Sequence, residues 1–159
     1  MSIPNDIIYE LMLKASVPGL IQLCKVNKFA HTICQDQTFW ETKTHLDFPN
    51  LPMINILDWK KFYVKFALGR AKFVPISIRE LGKIKTLHSI LIYDDDLISD
   101  IINRVVQETK EVVWGIRFIK FVGASISIVY PPNMTKIPSQ LSSQKFKDLR
   151  EINIWYGRH

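Results

Sequence analysis

The spacing of the apolar residues changes once along this chain, near residue 73, and that change limits the fold more than any other feature. Before it, apolar side chains recur at helical intervals in short pieces: Ile7, Ile8, Leu11 and Met12, then Leu20, Leu23 and Cys24, then Val26, Phe29, Ala30 and Ile33. A longer piece follows, with Trp59, Phe62, Tyr63, Phe66 and Ala67 at i, i+3, i+4, i+7 and i+8. From Phe73 the period is two, over 73–78 and 87–93, and again where Ile116, Phe118, Ile126 and Ile128 alternate with polar neighbours. Helices first and strands later read as an α+β fold rather than an alternating one. Isolated helices of this length are marginal in water, so the N-terminal pieces must pack on something.

Breakers and caps divide the chain further. Pro4 to Asp6 open a first helix that ends near Lys14, Ser16 and Pro18 a second, Asn27 a third, and Asp36 a fourth with Phe39 and Trp40 in its first turn. Pro49-Asn50-Leu51-Pro52 interrupts any helix and reads as a hinge. The aromatic helix beyond it takes Asn55 or Asp58 as its cap and Gly69 as its stop. In the second part, a turn about Leu81-Gly82-Lys83 separates two strands, and Pro75 suggests an edge strand or a bulge. Asp94-Asp95-Asp96 caps a helix running through Ile101 and Val105 to about Lys110. Strands follow at 112–122 and 124–130, Pro131-Pro132-Asn133 is a turn, and 151–156 is a last strand. The expected organisation is a helical module over 1–50, a linker helix over 51–72, and an α+β domain of a small sheet with one helix over 73–159.

Composition narrows the class. With 47% apolar residues and 23% charged in 159, the chain holds enough apolar surface for a modest core in each part. Met1 to Asp6 lacks the basic and apolar regions of a signal peptide, and no apolar run approaches a membrane span. The expectation is an intracellular chain, in cytoplasm or nucleus, with no membrane contact. Cys24 and Cys34 both fall on the helical part and read as two reduced core thiols rather than a disulfide. The net charge of +6 is uneven: residues 1–50 carry four basic and five acidic residues, the remainder seventeen and ten. A basic second part admits an acidic partner or nucleic acid. The basic residues are scattered, however, and the aromatics beside Lys60, Lys61 and Lys65 lie on the stripe expected to be buried, so nucleic acid is not favoured.

Motifs for chemistry are few. Adjacent carboxylates such as 94–96 cannot all face one ion, no calcium loop accompanies them, and helix capping explains them better. His31, His45, His88 and His159 lack metal-ligand spacing, and no phosphate-binding, dinucleotide or hydrolase motif occurs. No enzyme activity, cofactor or metal is expected.

The order Ile3-Pro4, apolar first helix, Leu20 to Phe29 with Val26-x-Lys28-Phe29, and Asp36-x-x-Phe39-Trp40 resembles an F-box, the helical module that docks receptors of cullin-RING (SCF) ubiquitin ligases onto a Skp-type adaptor protein. The likeness covers about residues 3–48. It differs in Ile for Leu at position 3 and Phe for the Trp many members carry at 29. It implies an adaptor-binding surface of Ile3, Pro4, Ile7, Ile8, Leu20, Leu23, Val26 and Phe29, and a C-terminal domain that recruits a protein target. A short F-box chain without repeats is similar to F-box-like proteins encoded by large DNA viruses. The hairpin, acid-capped helix and further strands resemble ubiquitin-like, β-grasp domains, while 146–154 resembles a leucine-rich repeat for which no period is found. The alternative is a structural or assembly protein, such as a minor virion component, using the helical module for another contact.

Overall fold

The computed structural model of the chain describes residues 3–52, 55–80, 83–109, 116–129 and 143–156. The expected turns at Leu81-Gly82 and Pro131-Pro132-Asn133 and the strand start at 112 lie outside them. The fold is α+β. Contacts divide it into two compact units, Met1–Arg70 and Ala71–His159, each with a hydrophobic core of its own.

The first unit is helical: α1 (Asn5–Lys14), α2 (Val17–Val26), α3 (Lys28–Ile33), α4 (Gln37–Asp47) and α5 (Trp59–Ala67). Short polar side chains start the later helices by accepting orphan amides. Asn27 takes the Ala30 N–H at 2.9 Å, Asp36 that of Thr38 at 3.0 Å, and Asp58 that of Lys61 at 3.0 Å. Ser16 makes no such bond, and Pro18, in the first turn of α2, needs none. Gly69, at φ +72°, ends the run after α5 in the left-handed region that glycine enters without strain.

Ile8, Met12, Val17, Leu20, Ala30, Cys34, Phe39, Trp40 and Tyr63 form the core of this unit. Burying an aromatic such as Phe39 contributes about 2–3 kcal/mol, so this cluster supplies what such short helices lack alone. The Trp40 indole N–H reaches the Cys34 carbonyl at 2.8 Å, which satisfies its one polar atom. Tyr63 lies against Trp40 with ring centroids 5.6 Å apart, and Phe66 meets Phe48 edge-on at 4.9 Å. The helix after the hinge therefore packs into the N-terminal unit rather than standing between two domains.

The second unit orders β1 (Ala71–Glu80), β2 (Lys83–Tyr93), α6 (Ile98–Thr109), β3 (Ile116–Val122), β4 (Ile126–Val129), α7 (Ser143–Asp148) and β5 (Glu151–Tyr156). Its sheet runs β2-β1-β5-β3-β4, with β1 and β5 parallel and the other neighbours antiparallel. Ile76, Ile90, Ile119, Phe121, Ile152 and their same-face neighbours point to one side, where Ile98, Ile101 and Val105 of α6 and Phe146 of α7 close the core.

Three expectations change here. β1 is not an edge strand, and its register shift lies between Ile78 and Arg79 rather than at Pro75. Pairing with β5 begins only at Ile76, so among the described residues Pro75 sits in the half of β1 paired with β2 alone. The helix α7 joins α6, so the sheet carries two helices instead of one. Asp96 is not a helix cap: it accepts the Tyr93 N–H at 2.7 Å and forms a bidentate pair with Arg104, whose Nη1 also bonds the Leu91 carbonyl. The Leu97 N–H at the head of α6 is taken by Asp100, at 3.2 Å.

Candidate functional site

The first turns of α1 and α2 split their apolar residues between two directions. Ile8 and Met12 of α1 and Val17 and Leu20 of α2 turn into the core. Ile7 and Leu11, one helical turn apart, stay in water on the neighbouring stripe of α1, and Ile3 just ahead of the helix is 56% exposed. On α2 and its end, Ile21 is exposed and Val26 is 70% exposed. Single exposed apolar residues are ordinary, whereas a row of three large ones leading along one helix is a feature of interaction surfaces.

Of the eight residues assigned by the F-box likeness, Ile3, Pro4, Ile7 and Val26 are on the surface, and Leu23 and Phe29 are half-buried at the edge of the core. Ile8 and Leu20 lie inside it, Leu20 with 1% of its surface exposed. Those two build the module and do not present a surface. Leu11 and Ile21, outside those eight, are exposed as well. Leu11 follows Ile7 by four residues, so its place on the exposed stripe was available as soon as Ile8 and Met12 were assigned inward.

The helix pair is tied covalently. Cys24, on the last turn of α2, and Cys34, at the end of α3, form a disulfide with Cα atoms 6.1 Å apart, a correction to the reading of two reduced thiols. Their ten-residue separation carried no sign of it. The packing of α3 against α2 brings them together.

A second cluster joins three helices. The Lys43 ammonium is wholly buried, donating to the Leu13 carbonyl at 2.7 Å and lying 3.3 Å from the Asp47 carboxylate. The Tyr63 hydroxyl donates to the same carboxylate at 2.6 Å, and burial, then Asp47, raises its pKa well above the ordinary phenol value. This network ties α1, α4 and α5 together. A cleft of about 420 Å³, lined by residues including Glu41, His45, Pro52 and Trp59, has size enough for a small ligand. Its two titratable side chains, Glu41 and His45, are exposed and 4.0 Å apart on successive turns, the geometry of a solvated pair. Among the described residues no three His, Cys, Asp or Glu side chains gather to hold a metal ion, and no helix is long and apolar enough to cross a membrane.

Three cations of the basic stretch after Lys60 lie against rings or carbonyls of their own unit. Lys60 lies 5.9 Å from the Trp40 ring, Lys72 bonds the Leu149 carbonyl at 2.6 Å beside the Phe146 ring, and Arg79 covers the Trp155 ring. Burial lowers the pKa of Lys72 against a smaller opposing pull from Asp148, while its pairing with Asp96 raises that of Arg104.

No family model, curated protein or solved structure matches this chain.

Proposed function

We propose that the chain is a substrate-receptor subunit, its helical unit docking on a Skp-type adaptor of a cullin-RING (SCF) ubiquitin ligase and its C-terminal unit recruiting a protein target. One observation carries this reading: Ile3, Ile7, Leu11, Ile21 and Val26 remain in water on the two helices whose other apolar residues fill the core. Exposed apolar residues of that kind are what a partner helix or groove covers. The F-box likeness names the partner. The mechanism is proximity, since holding a target beside a ligase-bound conjugating enzyme raises the effective concentration of its lysines. The sheet order β2-β1-β5-β3-β4, with α6 following the β1–β2 hairpin, supports the β-grasp-like reading of the recruiting unit; α7 departs from it.

The test is co-expression with a eukaryotic Skp-type adaptor, read by native mass. A one-to-one complex is expected, and Ile7→Asp with Val26→Asp is expected to abolish it while leaving the unfolding midpoint unchanged, because both positions are exposed. Leu20→Asp is the wrong probe, since a charge there unfolds the module. A folded wild-type chain that captures no adaptor defeats the proposal, and homo-oligomerisation through the same residues would favour a structural or assembly role.

A further inference from the structure

Among the described residues β2 is an edge of the C-terminal sheet, with β1 as its strand neighbour. Its eleven residues make that edge long, whereas β4 on the other side has four. The Tyr93 N–H goes to the Asp96 carboxylate at 2.7 Å, and the Leu91 carbonyl accepts from Arg104 at 3.0 Å, so these two backbone groups point away from β1. In an antiparallel pair the outward-pointing residues alternate, which sets the N–H and C=O of Leu87 and Ser89 on the same open side. Pro75 agrees with this parity. It stands opposite Ser89 and brings no N–H, as a pair that exchanges no hydrogen bonds permits.

Asp96 and Arg104 therefore close the C-terminal end of the edge and leave its middle open. The sequence does not guard that middle: 86–92 holds no Lys, Arg, Asp, Glu, Pro or Gly, the residues that blunt an exposed edge. An open edge of this kind takes up an extended strand, and a stretch of such composition pairs with its own copy. The charges at its two ends select the direction. Lys83 starts the strand and is exposed, while Asp94 and Asp95 follow its last residue, Asp95 exposed. An antiparallel copy sets the basic end of each strand beside the acidic end of the other, whereas a parallel copy sets like charges together.

We propose that β2 pairs antiparallel with β2 of a second copy about a two-fold axis at position 88, joining two five-stranded sheets into one. This register sets Leu87 of each copy opposite Ser89 of the other. Each such pair exchanges two backbone hydrogen bonds, and all of them come from groups that Asp96 and Arg104 leave open. The same residues serve on both copies, so the assembly closes at two instead of growing into a fibre. The inference goes beyond the receptor reading and stands without it, because it uses the C-terminal edge and not the helical unit.

The test is native mass and sedimentation of the full chain over about 1–200 μM, the range in which a small edge contact dissociates. A dimer of twice 18.5 kDa is expected. Ser89→Pro removes an N–H that β1 does not use, and is expected to weaken the dimer about tenfold or more while the chain stays folded. Ser89→Lys, which keeps the backbone intact, is expected to weaken it likewise and decides the matter if the proline variant does not fold. Lys83→Glu is expected to weaken the dimer, and Lys83→Glu combined with Asp95→Lys to restore it. A monomer at every concentration, a dimer undiminished by a folded Ser89 variant, or a charge swap that restores nothing would each overturn the proposal. Ile7→Asp with Val26→Asp is expected to leave the dimer intact, and its loss there would move the contact to the helical unit. With adaptor present the complex keeps its one-to-one composition at doubled mass, and Ser89→Pro halves the mass without releasing the adaptor. A dimer that captures no adaptor defeats the receptor reading alone, and a monomer that captures it defeats this proposal alone.

Discussion

Lys43 and Tyr63 show how far a residue's role depends on chain that lies elsewhere. Read along α4, Lys43 and Asp47 are an i, i+4 surface pair worth a few tenths of a kcal/mol. Tyr63 from α5, 5.2 Å from the ammonium, helps to take Lys43 out of water while Asp47 stays about a third exposed, and the Leu13 carbonyl at the end of α1 becomes a third partner. Lys43→Ala is expected to lower the stability of the helical unit by about 2 kcal/mol, because it strands a carbonyl and a half-buried carboxylate. Lys43→Met, which keeps the packing, should cost less; urea denaturation followed by tryptophan fluorescence separates the two. Tyr63 adds a pH dependence. Its folded pKa is raised above the ordinary 10.0, by burial first and Asp47 second, so the unfolded chain loses this proton before the folded one does. The contribution is complete below about pH 10 and is lost as pH rises toward the folded value. Wild type is expected to lose denaturation midpoint more steeply than Tyr63→Phe between about pH 9 and pH 11.

At the scale of elements, starts and stops were the legible part. Asn27, Asp36 and Asp58 cap their helices through their own side chains, and Gly69 ends α5, because these are bonds and dihedral angles within one turn of chain. The Asp94-Asp95-Asp96 run was misjudged for the converse reason: the partner of Asp96 is Arg104, two turns along α6, and the cap falls to Asp100. α7 went unseen because six residues with Phe146 inward, followed by Leu149, have too short a period to register, and the sheet they pack on is assembled from distant strands. Gly123, at φ +92°, joins these pieces; a Cβ there would lie 2.0 Å from the Asp148 carbonyl oxygen, so only glycine lets the β3–β4 turn approach the end of α7. The Cys24–Cys34 bridge is a contact between α2 and α3 that no local pattern announces. Intact mass after alkylation without reductant is expected to show both thiols protected. Replacing the pair by serine is expected to lower the midpoint of the helical unit by the equivalent of about 2–3 kcal/mol, as loss of a short cross-linked loop does.

For the whole molecule, the two cores share no residue: one draws on Ile8 to Tyr63, the other on Val74 to Ile154. Residues 1–70 and 71–159 expressed separately are therefore each expected to unfold cooperatively and to give dispersed amide spectra, and a fragment that remains unfolded would show that its core needs the rest of the chain. The sequence by itself determined the α+β class, the switch of period near Phe73, six helix positions and the positions of all five strands, since period, caps and turns act over a few residues. It also carries, over 3–48, the F-box likeness on which the proposed adaptor contact rests. Only the tertiary structure decided which apolar residues of that stretch face inward, so that Ile8 and Leu20 became core while Leu11 and Ile21 joined the surface. It alone decided that β5 inserts between β1 and β3, which sets Arg79, Trp155 and Phe118 in one row. The reason is the same in both cases: a residue's period fixes which of its neighbours share a side, but which side meets water depends on the other elements that arrive against it.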